Sequence, residues 1–82
     1  MDYRTLRKEM IRNKVIEFGI TNEVFISRRL SVIIYRFHPT DDELERGLLK
    51  IKDALDRYII KSLEGFTFKT FEEISNKERF QQ

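Results

Sequence analysis

The sequence contains no cysteine, no tryptophan, a single proline, a single histidine and three glycines. Without cysteine there is no disulfide framework and no thiolate metal site. One histidine cannot supply the paired imidazoles of a zinc centre, and no Ser/His/Asp order can be argued from it in a chain this small. No G-x-x-x-x-G-K-[ST], G-x-G-x-x-G or G-x-S-x-G pattern occurs, which removes the commonest phosphate-loop, dinucleotide and serine-hydrolase signatures. Long apolar runs are also lacking. The longest is Val32-Ile33-Ile34-Tyr35, far below the roughly 20 residues that span a bilayer. The charged opening MDYRTLRKEM has no signal-peptide core. These absences lead us to expect a cytoplasmic protein without membrane, cofactor or metal.

Charge, by contrast, is abundant. Asp, Glu, Lys and Arg make up 37% of the 82 residues, against 40% hydrophobic. That balance suits a folded domain better than disorder. A chain of this length is one domain with a small core. The net charge of +2 is unevenly placed. Residues 1–37 carry eight Lys/Arg and four Asp/Glu (net +4), and residues 38–82 carry eight and ten (net −2). A basic front half fits an acidic partner or nucleic acid.

Hydrophobic spacing divides the chain into runs. Over residues 3–18, Leu6, Met10, Ile11, Val15 and Phe18 form a drifting helical stripe, with Asp2 as N-cap and Gly19 as the left-handed residue that ends it. Over residues 22–37, Ile26, Leu30, Ile33 and Phe37 are spaced 4, 3, 4 on one helical face. Thr21 is its N-cap, and Ile20 and Phe25 form a hydrophobic staple. Residues 41–63 carry Leu44, Leu48, Ile51, Leu55, Tyr58, Ile59 and Leu63 in near-heptad spacing. They start at a Thr40–Glu43 capping box and end at Gly65. Pro39 separates the second and third runs, and His38 before it is expected to be extended. Gly47 offers a close helix contact within the third run. In the tail, Phe66 and Phe68 alternate with polar residues, and Thr70-x-x-Glu73 starts a short last helix. Phe66, Phe68, Phe71 and Ile74 are expected to fold back on the bundle, the alternative being an exposed partner-binding patch.

The fold class that follows is all-α: an antiparallel hairpin and a long third helix forming a three-helix bundle over 1–65. A C-terminal segment, 66–82, packs on it within a single domain. The alternative is α/β, with strands near 31–37 and 66–69, because Val24, Ile26, Val32, Ile33, Ile34 and Tyr35 favour strands.

Ser27, Arg28, Arg29, Ser31 and Tyr35 fall opposite the apolar stripe of the second run. They are the candidate partner-binding residues: the arginines for carboxylates or a phosphoryl group, the serines for close polar contacts. Arg28-Arg29-Leu30-Ser31 also matches the R-R-x-S preference of basophilic kinases. No catalytic residue stands out, and Asp41, Asp42, Glu43 and Glu45 read as helix-start acids rather than a cation site.

Two known patterns bear on function. Leu6-Arg7-Lys8 with Met10-Ile11, the turn Gly19-Ile20-Thr21, then Ser27, Leu30, Ile34 and Phe37 resemble the small helical-hairpin aspartyl-phosphate phosphatases of the sporulation phosphorelay. The resemblance covers residues 6–37. It implies docking on a phosphorylated response regulator. The family's signature aspartate is Ser31 here, and the stretch from glycine to serine is two residues shorter, so docking rather than catalysis is what carries over. The expected function is a regulatory protein acting by protein–protein contact through its hairpin, with self-association left open. The alternative is a DNA-binding regulator. Phe18-Gly19-Ile20-Thr21 followed by Ser27-Arg28-Arg29-Leu30 is similar to a helix-turn-helix, although Lys14 and Arg28 fall where that motif packs apolar residues.

Overall fold

The computed structural model describes residues 2–20 and 28–80. They form four helices: α1 Tyr3–Glu17, α2 Arg28–Tyr35, α3 Asp41–Arg57 and α4 Leu63–Phe80. No strand occurs among the described residues, so 31–35 and 66–69 are helical and the α/β alternative falls. The expected Thr21 cap, the Phe25 staple and the first turns of the second run, residues 21–27, lie outside the described residues.

Local chemistry sets the ends of α1. The Asp2 carboxylate accepts the Thr5 backbone N–H at 2.9 Å, and these bonds hold its pKa below the ordinary carboxylate value. At the other end Gly19 has φ 79°. Its N–H reaches Ile16 O at 2.9 Å, and the Ile20 N–H reaches Val15 O at 3.2 Å. This paired closure is a Schellman motif, and it buries Ile20 beside Val15. The expected α1 stripe narrows to Ile11 and Val15, with Phe18 at its edge. Leu6 and Met10 are half exposed instead. At about 100° per residue they lie well round the helix from Ile11.

The second helix, α2, lies between α1 and α4. Two neighbours bury a wider arc than one stripe, so Leu30, Ser31 and Ile34 are all buried and Ile33, Tyr35 and Phe37 pack on the core. This enclosure overrides the strand preference of its β-branched residues. Its exit differs from expectation. His38 takes φ 46°, in the left-handed region rather than extended, as its N–H closes on Tyr35 O at 2.9 Å.

The capping box forms as expected at the start of α3. Glu43 N–H donates to Thr40 Oγ1 at 3.1 Å, and Thr40 N–H donates to Glu43 Oε1 at 2.8 Å. Leu44, Leu48 and Ile51 are buried. The helix stops at Arg57, however, with Tyr58 extended and Ile59 98% exposed. Leu55 is only partly buried, and the third helix is shorter than the stripe implied.

The largest departure is α4. Its 18 residues make it the longest helix among the described residues, where a short segment was expected. Gly65 does not end a helix. Its N–H donates to Ser62 Oγ at 3.1 Å, so Ser62 caps the start of α4. Position 65/66 therefore lies within a continuous helix. Thr67 and Thr70 are buried, and each hydroxyl donates to a carbonyl four residues back, Leu63 O at 2.7 Å and Phe66 O at 2.8 Å. Those bonds satisfy polar groups that would otherwise cost stability. Phe71 and Ile74 are buried, and Phe66 packs at the core's rim. Phe68 is half exposed and meets Phe37 edge-on at 5.2 Å. The Phe71 ring lies over Gly47. A Cβ there would sit 2.6 Å from Phe71 Cε1, so α3 and α4 approach as closely as they do because position 47 has no side chain.

Candidate basic groove between the first two helices

The five expected contact residues do not form one surface. Ser27 lies outside the described residues. Arg28 supplies the first residue of α2. Arg29 is exposed, and its Nε pairs with Glu64 Oε1 at 2.9 Å, tying α2 to α4. Ser31 is 5% exposed. It is covered because α2 turns that side towards α1, which also closes the R-R-x-S motif to a kinase. Tyr35 is half-buried, with its ring centroid 5.1 Å from that of His38 and 5.3 Å from Lys8 Nζ.

What the fold does assemble is a groove along the α1/α2 seam. Thr5, Lys8, Glu9 and Arg12 face Ser31 and Val32 at one end. Arg4 and Lys8 face Val32, Tyr35, Arg36 and His38 at the other. Lys8 and Val32 line both hollows, so the two lie next to each other along the seam. Arg4 lies beside Arg36 and Arg12 beside Ser31, so α1 and α2 run in opposite senses. Arg4, Lys8 and Arg12 recur every four residues and therefore stand in one row.

The electrostatics of the two sides of α1 differ. Towards α3, charges are neutralised. Arg7 donates to Asp41 Oδ1 at 3.1 Å and to Pro39 O at 3.0 Å, and its side chain is 15% exposed. Lys14 pairs with Glu45 at 3.3 Å and Glu17 at 3.7 Å. The bond to Glu45 first, then the Glu17 charge, raise its pKa above the ordinary lysine value. Towards the groove, Arg4, Lys8, Arg12 and Arg36 have no ion pair among the described residues. Arg12 Nε is buried without a hydrogen-bond partner. Like charges four apart on a helix cost about 0.2–0.5 kcal/mol each. Within the described residues the row is thus a liability that an anionic ligand would relieve.

Among the described residues no group of three His, Cys, Asp or Glu could hold a metal ion. His38 lines the groove hollow with Arg4 and Arg36 and, on its other side, a second hollow with Arg7 and Asp41, whose carboxylate is bonded to Arg7. The arrangement suits recognition of negative charge, with an apolar floor of Val32 and Tyr35. The spacing of Arg4, Lys8 and Arg12 is readable in the sequence. Which cations stay unpaired is not, because Arg7 and Lys14 find their partners on α3, far along the chain. Comparison with protein-family models, with curated proteins and with solved structures found no match.

Proposed function

We propose that this chain is a small regulatory protein, working in the cytoplasm, that binds an acidic surface of another protein along the α1/α2 groove. The observation that carries the reading is the row Arg4, Lys8 and Arg12, without an ion pair among the described residues, facing Arg36 across a partly apolar floor. Desolvated charge pairs give specificity, and exposed ones speed encounter. Among the described residues no helix is long and apolar enough to cross a membrane.

The resemblance to the sporulation phosphatases suggests a response regulator as the partner. The burial of Ser31, at the position of their signature aspartate, favours docking without dephosphorylation. The helix-turn-helix reading draws less support. Such a motif needs a recognition helix whose outer face enters a DNA groove. Of the described α2 side chains, 29–35, only that of Arg29 is exposed.

The test is a photo-crosslinking residue at Val32, followed by reconstitution of the captured protein with the pure chain. Lys8→Glu with Arg36→Glu is expected to weaken binding by more than about tenfold. Lys50→Glu with Lys69→Glu, exposed and away from the groove, is expected to leave it within about threefold. Equal losses from both pairs, or capture of nucleic acid in place of protein, would overturn the reading.

A further inference from the structure

The groove's dimensions and its one acid narrow the partner's chemistry. Arg4, Lys8 and Arg12 are four residues apart, so successive cations step about 6 Å along the α1 axis and the row spans about 12 Å. A helix lying in the groove with carboxylates at i, i+4 and i+8 repeats at the same step. An extended strand that binds by adding to a sheet needs a sheet edge, and no strand occurs among the described residues.

A phosphate backbone meets a different obstacle. Glu9 lines the same hollow as Lys8 and Arg12. A uniform polyanion must set negative charge against Glu9 wherever it lies. A protein segment can put a basic or neutral residue there and keep its acids for the arginines. Val32 and Tyr35 between the charges further suit an amphipathic segment, whose apolar edge they would cover.

Resting on the reading above, we infer that the partner presents an acidic amphipathic helix to this groove. Its carboxylates at i, i+4 and i+8 meet Arg4, Lys8 and Arg12, its apolar edge meets Val32 and Tyr35, and a non-acidic residue lies opposite Glu9.

The test uses the full chain and synthetic helical peptides followed by fluorescence anisotropy. One peptide carries glutamates at i, i+4 and i+8 beside leucines. Its isomer has the same composition with the glutamates spread around the helix. The patterned peptide is expected to bind at least about tenfold more tightly than the isomer. Lys8→Glu should weaken it by about tenfold or more, and a peptide with lysine at the central position should recover binding to that variant. Lys8→Gln and Arg12→Gln, milder changes, should each weaken the patterned peptide if Lys8→Glu disturbs the fold. Equal affinity for the two isomers, absence of the charge-swap recovery, or tighter binding of a single-stranded oligonucleotide would each overturn the helix inference. If the peptides fail while a reconstituted acidic protein still depends on Lys8 and Arg36, only the inference fails. If that dependence is also missing, the proposed function fails with it.

Discussion

At the residue scale, the groove row and the glycine contact make opposite demands on stability. Arg4 stands in the first turn of α1, where a cation opposes the helix dipole, and it lies four residues from Lys8. Arg4→Glu should therefore stabilise the fold by about 0.3–1 kcal/mol while weakening partner binding. Chemical melts beside a binding titration check both; a variant that loses stability and keeps affinity would contradict the role given to this row. Gly47 behaves in the reverse manner. Alanine is the better helix former by about 1 kcal/mol, yet its methyl would enter the Phe71 ring, which is 1% exposed. Gly47→Ala should cost about 1–3 kcal/mol by overpacking. A gain in urea midpoint would mean that the α3–α4 contact yields easily. Ser31→Asp would restore the resembled family's signature, but at a position 5% exposed. Its burial would cost about 1–3 kcal/mol, opposed by Lys8 and Arg12, which line the same hollow. A melt that loses the full burial cost would mean that neither cation reaches the new carboxylate.

At the scale of elements, what was legible in the sequence was what neighbours along the chain decide. Asp2, Thr40 with Glu43, and Gly19 act on backbone groups within five residues, and each does in the structure what its sequence context implied. Helix lengths and buried faces were harder to read, because neighbouring helices decide them. The α3 stripe runs on to Leu63 in sequence, yet Tyr58-Ile59-Ile60 breaks away and Ser62 starts a new helix. In the tail, alternating Phe66-Thr67-Phe68-Lys69 imitates a strand, while Thr67 and Thr70 are held inside a helix by bonds to carbonyls four residues back. These faces make a graded prediction. Leu48, fully buried, should cost about 2–5 kcal/mol as alanine, and partly buried Leu55 distinctly less. Equal losses would mean that the lower half of α3 is as enclosed as the upper. The Lys14–Glu45 pair, which joins α1 to α3, carries a pH signature. A lysine whose pKa rises on folding contributes stability fully below its unfolded value of 10.5, and loses it as pH climbs through the higher folded value. Lys14→Met should flatten that alkaline slope.

For the whole molecule, α4 is the element that closes the core. Phe71 joins residues from α1, α2 and α3 in one core, and Arg29–Glu64 ties the second helix to the fourth. The candidate site could not have been read completely from sequence for the same reason. It depends on α3 neutralising one side of α1 while the cations of the other keep no ion pair among the described residues. The central claim is that this other side is where the protein works. Amide chemical-shift mapping during titration with an acidic helical peptide tests it most directly. The account predicts that the largest shifts fall on Arg4, Lys8, Arg12, Val32, Tyr35 and Arg36 and that they fade at high salt. Shifts centred instead on Leu49, Ile59 or Phe68, with the α1/α2 groove silent, would contradict it.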